Sequence, residues 1–482
     1  MSKILFISQR YYPAIGGAEN FVRILAEWCV RQGHEVDVWT SDALEADALW
    51  FPKREKVKIL EETIQGVHVK RFKTSPLFLD NVFINKGFRY VFWHTPYWRL
   101  QYWASPPTTF GMYKQLLRND LPKYDIIHVS AMPYVSMMYV GMQLAKKLGS
   151  KFYITPFQHL NITGKYVAED SYYNPRTLPF FHAADKIFIQ TESERNALMK
   201  FFHRYKGVTD PNDAIFAGFW DNFKAQSKVS KETPLVLVAL AKIFTYLIAV
   251  PFLIVYTIRK PLLFWKKKEE IDDSKLTKMG LGIFPEEFES GNGKAFRKEY
   301  NIDPKTPVVF YVGAKVFVKG VKALVLSMEK LWNEGSDAKL VLAGGTTIEF
   351  EDFWQTVSPI VKRNTLVLDR VTDKVKADIY EAGDVFVMVS KSESFGLVYL
   401  EAWIHKLPVI GCNIGSVSEV IDEGEDGYLV EFDDVETISK KIDILLKDKK
   451  LRNAMGEKGY KKVMKDYTWP KIFKRYAKYF NE

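Results

Sequence analysis

The sequence predicts an α/β protein built from two doubly wound domains, and three observations support this class. At 482 residues the chain is too long for one compact core, which indicates two or three domains. Short apolar runs alternate with helical stretches, the order that builds parallel sheets. This alternation occurs in two separate series, and each opens with a strand and a glycine turn. We therefore expect two domains that face a cleft, with ligands at the carboxyl ends of their strands.

The first series opens with a βαβ unit. Lys3–Ser8 is a short apolar run, and Gly16-Gly17 follow it in a turn. Ala18–Gln32 has helical periodicity, and Glu35–Thr40 alternates like a strand. The crossover between parallel strands should be right-handed. The later elements of this series are Ile126–Val129, Ser136–Leu148, Phe152–Thr155, Lys186–Gln190 and a helix from about Ser193.

The second series begins near Pro307. Val308–Val312 reads as a strand, Val321–Trp332 as a helix and Lys339–Ala343 as the next strand. Three further strands are expected at Thr365–Leu368, Val385–Val389 and Val409–Gly411. We assign residues 1–207 to the first domain and 274–467 to the second, and expect the basic amphipathic segment 468–482 to pack back on the first.

Charge and cysteine content limit the classes of partner. The net charge of +10 suits anions such as nucleoside diphosphates, phosphorylated lipids or an acidic membrane face. No zinc-finger spacing or basic-region helix accompanies it, so we expect no nucleic acid partner. Two distant cysteines, Cys29 and Cys412, give no disulfide framework and indicate a reducing, cytosolic setting. The apolar run at the N-terminus is too short for a signal peptide.

The segment Glu393–Glu401 carries the clearest chemistry. A turn over Ser392–Gly396 should follow a strand, and Leu397–Lys406 should form a helix. Backbone N–H groups near Ser394, Phe395, Gly396 and Leu397 would then face the cleft, where a helix N-terminus favours a diphosphate. Glu401 would lie roughly 6–8 Å further along the helix, a suitable reach from a phosphate to a ribose. Taken alone, the two glutamates favour a structural interpretation, with Glu393 as a helix-capping acid and Glu401 as a solvated surface charge.

The chain resembles the retaining glycosyltransferases of family four, which have the GT-B fold of two Rossmann-like domains. The likeness covers most of the chain except the segment 208–273 and an aromatic loop. It rests on several short motifs in one order: Gly16-Gly17-Ala18-Glu19, Thr155-Pro156-Phe157-Gln158-His159, Val312-Gly313, Lys319-Gly320, Ala343-Gly344-Gly345, Ser390-Lys391-Ser392-Glu393, Glu401-Ala402 and Asp426-Gly427-Tyr428.

The resemblance implies roles for the residues in these motifs. Glu401 would bind the ribose of a nucleotide-sugar donor, and Glu393 would contact hydroxyls of the donor sugar. Lys319 would neutralise the departing diphosphate. His159 would lie near the reacting anomeric centre, although a loop histidine can also be merely structural. The loop at Gly16 and Gly17 would close over donor and acceptor.

One position departs from the family pattern. The family commonly has an arginine where this chain has Ala314, followed here by Lys315. Either Lys315 takes over part of the phosphate contact, or the stabilisation of the leaving group is weaker. No Asp-x-Asp pair lies in a suitable loop, so we expect neither a metal nor another cofactor. We also see no enzyme nucleophile for a double displacement.

The insertion 208–273 is the longest apolar feature. Its run Leu235–Ile258 has the length of a transmembrane helix but is broken by Lys242 and Pro251. A single crossing would separate the two domains, and both flanks carry lysines. A re-entrant hairpin, a helix lying in the interface and a pair of buried core helices remain open. We expect a peripheral or monotopic protein on the cytoplasmic side of a membrane.

Aromatic residues crowd the segment 78–112, including Trp93, Trp98 and Trp103. Together with Arg89 and Arg99 they suit a lipid phosphate with an isoprenoid tail or a sugar-stacking surface, and an elaborated core is the alternative. We expect a retaining, metal-independent transfer of a hexose or related sugar from a UDP- or GDP-sugar to a lipid-linked or membrane-proximal glycan. The alternatives are a sugar-nucleotide epimerase of the same fold and a catalytically silent, membrane-bound scaffold that binds nucleotides.

Overall fold

The computed structural model contains two parallel-sheet α/β domains, which confirms the predicted fold class. The residues that the structure describes are 1–14, 16–49, 54–75, 98–157, 174–206, 271–288 and 290–481.

The first sheet has eight strands in the order β3-β4-β2-β1-β5-β6-β7-β8. The strands are β1 (Lys3–Ser8), β2 (Glu35–Ser41), β3 (Glu61–Ile64), β4 (Val67–Phe72), β5 (Ile126–Ser130), β6 (Lys151–Ile154), β7 (Lys186–Ile189) and β8 (Leu276–Lys278). All neighbours are parallel except β3 and β4. The helices are α1 (Gly17–Arg31), α2 (Trp98–Ala104), α3 (Phe110–Gln115), α4 (Val135–Leu148), α5 (Leu178–Ala183) and α6 (Glu192–Arg204).

The second sheet has six parallel strands in the order β11-β10-β9-β12-β13-β14. They are β9 (Val308–Val312), β10 (Lys339–Ala343), β11 (Thr365–Leu368), β12 (Val385–Met388), β13 (Val409–Cys412) and β14 (Gly427–Val430). The helices are α7 (Gly293–Glu299), α8 (Val321–Asn333), α9 (Ile348–Thr356), α10 (Pro359–Asn364), α11 (Asp373–Ala382), α12 (Leu397–Ile404), α13 (Gly415–Ser418), α14 (Val435–Lys447), α15 (Lys449–Asp466) and α16 (Trp469–Phe480).

Strand β8 lies outside the domain to which the sequence assigned it. Residues from 274 onward were expected in the second domain, but Leu276–Lys278 pairs in parallel with β7 of the first sheet. Three residues are too few to show a period of two, so the pattern carried no signal for this strand. The chain therefore completes the first sheet before it enters the second domain.

Helix α16 returns from the second domain to pack on the first. The rings of Trp28 and Phe473 stack with centroids 5.0 Å apart, and those of Phe6 and Phe480 with centroids 5.9 Å apart. The apolar face of α16 is buried, whereas its lysines are exposed. One continuous apolar cluster thus runs from the first sheet through α16 into the second domain, and the two domains meet along it.

Two predicted features fall largely outside the described residues. The insertion 208–273 is described only from residue 271 onward, and the aromatic segment 78–112 only from residue 98 onward. In the described part of the latter, Tyr102 is fully buried and its hydroxyl donates to the backbone oxygen of Arg176 at 2.7 Å. This tyrosine therefore belongs to the core. Across the described ranges, none of the helices has both the length and the apolar character needed to cross a membrane.

Candidate active site

The turn between β12 and α12 is shaped by Gly396. This residue has a φ of +93° and immediately precedes the first helical residue, Leu397. A Cβ at Gly396 would lie 2.6 Å from the ring of Tyr399, so both the backbone angle and the space favour glycine. The first N–H groups of a helix have no partner within it. The α12 N-terminus therefore presents donors at the carboxyl edge of the sheet, where an anion can be held.

Phe395 anchors this turn from behind. Its side chain is only 2% exposed, and its ring lies edge-on to that of Tyr467 at a centroid distance of 5.7 Å. Phe395 can therefore offer a ligand its backbone but not its ring. Ser394, the preceding residue, is half-buried. The fixed aromatic ring explains how a loop can hold its N–H groups in one orientation.

Lys319 and Glu393 form the central ion pair of the site. The Lys319 Nζ lies 2.6 Å from the Glu393 Oε1 and 3.1 Å from the backbone oxygen of Ser392. The Lys319 side chain is 26% exposed and that of Glu393 is 12% exposed. The pair is thus shielded but still open on one side. It places a cation and a carboxylate together beside the first turn of α12.

Close contact between two loops creates this pair. Gly320, next to Lys319, has a φ of +77°, and a Cβ there would lie 2.3 Å from the backbone oxygen of Val389. The N–H of Lys391 donates to the backbone oxygen of Val318 at 2.8 Å. Strands β9 and β12 are neighbours in the sheet, so the loops that leave them meet at one edge. The glycine at 320 permits the approach that brings Lys319 to Glu393.

Glu401 is held by helix α11. Its Oε1 lies 3.1 Å from the Nζ of Lys376, and its Oε2 accepts a hydrogen bond of 2.8 Å from the Tyr380 hydroxyl. The Glu401 side chain is 12% exposed, so it is not a freely solvated charge. Burial, reinforced by the Glu401 carboxylate, holds the pKa of Tyr380 well above its ordinary value. The tyrosine stays protonated and orients the carboxylate.

Lys315 does not point into open space. It is fully buried, and its Nζ donates to the backbone oxygens of Gly344 and Leu368, the latter at 2.7 Å. Burial lowers its pKa below the ordinary lysine value. The ammonium ties together the ends of β10 and β11, and a contact with phosphate would require this fully buried side chain to become accessible. The structure therefore gives no support to Lys315 as the substitute for an arginine at Ala314.

The glycine turn of the first domain covers a buried ion pair. The Nη2 of Arg10 lies 2.7 Å from the Oε1 of Glu19, and both side chains are almost fully buried. A Cβ at Gly16 would lie 2.1 Å from the Oε2 of Glu19, whereas one at Gly17 would meet nothing within 4 Å. Gly16 therefore lets the backbone pass over the pair, and Gly17 begins α1 with open space around it. Sequence reasoning did not single out Arg10.

Two histidines of the first domain differ in status. His159 lies outside the described residues. His128 is fully buried, and its Nε2 lies 2.8 Å from the Oγ1 of Thr155. Phe6 and Phe188 contact its ring, and burial lowers its pKa to about 3. His128 is therefore a neutral core residue.

Three polar residues near the site were missed. Lys376 and Tyr380 hold Glu401, and Ser416 donates to the backbone oxygen of Glu393 at 2.6 Å. The four-residue spacing of Lys376 and Tyr380 on one helix face was an available signal, but it does not reveal which element that face meets. Among the residues that the structure describes, His, Cys, Asp and Glu form no group of three that could hold a metal ion.

Two family models match this chain and place it among known proteins. The model described as glycosyl transferases group 1 matches residues 293–462, and the model described as glycosyltransferase family 4 matches residues 15–207. The two ranges span about three quarters of the chain. With two parallel-sheet domains and a site at their strand ends, the chain belongs to the group 1 glycosyltransferases, which have the GT-B fold.

Curated relatives match part of the chain. It is 29% identical over 223 residues to the capsular polysaccharide biosynthesis glycosyltransferase CapM of Staphylococcus aureus, covering 44% of this chain and 57% of that protein. It is 33% identical over 180 residues to the N-acetyl-alpha-D-glucosaminyl L-malate synthase of Bacillus anthracis, covering 37% of this chain and 46% of that protein. The chain thus spans about half the length of these relatives.

Solved structures resemble the whole chain. The sucrose-phosphate synthase of Thermosynechococcus elongatus superposes with a TM-score of 0.67 at 17% identity, covering 100% of this chain and 98% of that one. HepE of Anabaena, in complex with UDP and glucose, superposes with a TM-score of 0.63 at 13% identity and covers 100% of both chains. At such low identity these matches establish the fold alone.

Proposed function

We propose that this protein transfers a sugar from a UDP- or GDP-sugar to a lipid-linked or membrane-proximal glycan, with retention of anomeric configuration and without a metal. The observation that carries the proposal is the Lys319–Glu393 pair beside the N-terminus of α12. A cation next to a row of backbone N–H groups suits a diphosphate that gains negative charge as it leaves. A carboxylate at the same place suits the hydroxyls of the attached sugar.

Glu401 supports a nucleotide rather than a simple phosphate as the donor group. Its carboxylate is fixed by Tyr380 and Lys376, yet each carboxylate oxygen can accept a further hydrogen bond. It lies one helical turn beyond the N-terminus of α12, at a distance suited to a ribose whose diphosphate rests on the first turn. In this arrangement Glu401 accepts from the two ribose hydroxyls.

The proposed reaction takes place on one face of the sugar. The bond between the anomeric carbon and the phosphate oxygen breaks, and an acceptor hydroxyl forms the new bond from the side that the nucleotide leaves. The proton of that hydroxyl passes to the leaving phosphate oxygen. Lys319 offsets the negative charge on the diphosphate, and Glu393 orients the sugar. Stabilisation of developing charge is commonly the largest contribution of an enzyme to such a step.

The proposed acceptor follows from charge and from the insertion. The net charge of +10 suits an anionic surface, and the apolar run 235–258 with its flanking lysines suits a peripheral or monotopic protein on the cytoplasmic side of a membrane. CapM, to which the chain is 29% identical, is a glycosyltransferase of capsular polysaccharide biosynthesis. A glycan acceptor at a membrane agrees with both.

A donor screen tests the transfer. Thermal shift with a panel of UDP- and GDP-sugars identifies the donor that stabilises the full-length protein, and transfer to extracted membrane lipids is then measured with it. We expect release of nucleoside diphosphate that depends on the lipid fraction. If donors bind but none is turned over, the remaining interpretation is the catalytically silent scaffold that binds nucleotides, which Ala314 favours.

A separate fractionation experiment tests the membrane association. We expect the full-length protein to pellet with membranes at high salt and to lose this property when residues 234–265 are deleted. A full-length protein that stays entirely in the soluble fraction would exclude anchoring by the insertion. This result would leave the transfer reaction itself unaffected, because the described site residues lie outside that segment.

A further inference from the structure

A carboxylate of the second domain receives the first turn of a helix of the first domain. Glu419 directly follows α13, and its Oε2 accepts a hydrogen bond of 2.7 Å from the backbone N–H of Glu192. Its Oε1 accepts from the backbone N–H of Ser193. Both N–H groups belong to the start of α6, a helix of thirteen residues. One side chain therefore fixes an element of the opposite domain through both of its oxygens.

The surroundings of Glu419 strengthen this contact. The Nζ of Lys278 lies 3.3 Å from the Oε2 of Glu419, and the Glu419 side chain is 23% exposed. Burial alone would raise the pKa of the Glu419 carboxyl, but the hydrogen bonds from Ser193 and Glu192 lower it below its ordinary value. A charged acceptor at a helix N-terminus is favoured by the helix dipole. The carboxylate is thus ionised where it meets α6.

The same short helix reaches the candidate active site. Ser416, within α13, is 1% exposed, and its Oγ donates to the backbone oxygen of Glu393 at 2.6 Å. Glu393 in turn holds Lys319. Only two residues separate Ser416 from Glu419, so a movement of α6 relative to the second domain acts directly on the segment that supports Glu393.

A cavity between the domains joins these elements. Its lining includes Gln190 just before α6, Glu419 and the buried ring of Phe395. Phe395 belongs to the turn that follows Glu393, so this part of the cavity wall lies behind the turn at the N-terminus of α12. The cavity therefore borders the turn, while the hydrogen bond from Ser416 is the direct link between α13 and Glu393.

We propose that Glu419 is an interdomain positioning residue that sets the Lys319–Glu393 pair according to how the first domain sits on the second. The inference rests on the proposed function, because it assigns Glu419 to the transfer step of that site. Glu419 is not among the residues to which the proposed function assigns the donor. It acts through Ser416 and the Glu393 turn, so its loss should lower kcat while the affinity for the nucleotide changes little.

The test compares four single variants of the full-length protein. Glu419→Ala removes both acceptors, Glu419→Gln keeps one neutral acceptor, and Ser416→Ala removes the link to Glu393. Glu425→Ala is the matched control, since this exposed glutamate forms its ion pair with Lys458 on the same domain. The measurements are kcat with the donor found in the screen, the Kd of UDP and GDP, and amide hydrogen exchange over residues 392–397.

We expect Glu419→Ala to lower kcat about tenfold, the loss expected when a charged acceptor is removed at a partly exposed site. The Kd should stay within about twofold, because Glu401 and α12 bind the nucleotide. Glu419→Gln should fall between wild type and alanine, and the Glu419→Ala and Ser416→Ala losses should not add in the double variant. The control should match wild type.

Four results would overturn the proposal. The first is an unchanged kcat in both Glu419 variants, and the second is full additivity with Ser416→Ala. The third concerns α6 itself, whose N-terminus is also capped by the Thr191 hydroxyl at 3.1 Å from the Glu194 nitrogen. If Thr191→Ala lowers kcat equally, Glu419 merely stabilises that helix. If the wild-type protein turns over no donor, the test of the proposal is amide hydrogen exchange at residues 392–397. Unaltered exchange in Glu419→Ala would exclude the link between Glu419 and the Glu393 turn.

Discussion

Replacement of Lys319 by methionine isolates the cation at the centre of the site. Methionine keeps much of the length of the side chain but removes the ammonium that lies 2.6 Å from Glu393. If that charge offsets the departing diphosphate, its loss should lower kcat by roughly 100- to 1000-fold, or about 2.7–4 kcal/mol in the barrier. The Kd of the donor should change far less, because the charge matters most in the transition state.

A cost in stability accompanies this variant and has to be separated from the loss of catalysis. Lys319→Met leaves the Glu393 carboxylate, 12% exposed, without its cation. Because Lys319 itself is 26% exposed, we discount the penalty for solvent and expect about 1–2 kcal/mol in the free energy of unfolding. The double variant with Glu393→Gln should recover most of that stability and none of the activity.

The assay is steady-state release of nucleoside diphosphate at saturating donor, together with denaturant unfolding of each variant. Lys322→Met is the matched control, since this exposed lysine lies one turn further on, over the rings of Phe317 and Phe353. A kcat within about threefold of wild type in Lys319→Met would refute the leaving-group role. Equal losses in both lysine variants would show a general effect of surface charge instead.

Three further predictions follow from the geometry. Gly396→Ala should destabilise the protein by about 1–3 kcal/mol in denaturant unfolding, because alanine is strained at a φ of +93°. The variant should also bind nucleotide more weakly, and unchanged binding would contradict the role of this turn. Glu401→Gln should weaken UDP or GDP binding about tenfold in calorimetry, since a neutral acceptor holds ribose hydroxyls less tightly, whereas an equal Kd would remove Glu401 from the nucleotide site. The free energy of unfolding should decrease as the pH falls below about 6.5, by up to 1.4 kcal/mol per pH unit. The reason is that His128, with its pKa lowered to about 3, stays neutral in the folded state while the unfolded chain takes up the proton. A His128→Gln variant with the same slope would show that other groups cause this dependence.

Most of the parallel framework could be predicted because buried strands are apolar runs. The strands Lys3–Ser8, Val308–Val312, Lys339–Ala343 and Thr365–Leu368 have the predicted bounds, and the other predicted strands differ by a residue or two. The hairpin β3–β4 was missed, since it lies at the sheet edge and its polar residues hide the pattern. Gln65 and Gly66 in its turn both have positive φ. The glycine was the available signal in the sequence, because such hairpin turns favour glycine.

The site could be predicted only in part. The expected helix at Leu397 and the glycine before it follow from local rules, so they appear in the sequence. The pairing of Lys319 with Glu393 joins residues 74 positions apart and depends on the adjacency of β9 and β12. The burial of Lys315 depends on the direction of its side chain, which points to the ends of the neighbouring strands β10 and β11. Such contacts are set by tertiary packing, and residue type alone does not contain them.

Proton NMR of the product tests the central claim most directly. The full-length protein is incubated with the donor selected by the screen and with the acceptor lipid, and the coupling constant of the anomeric proton is compared between donor and product. We predict that the new linkage keeps the configuration of the sugar nucleotide and that Lys319→Met forms it far more slowly. An inverted product would contradict the same-face mechanism, and the absence of any product with every donor would contradict the assignment as a transferase.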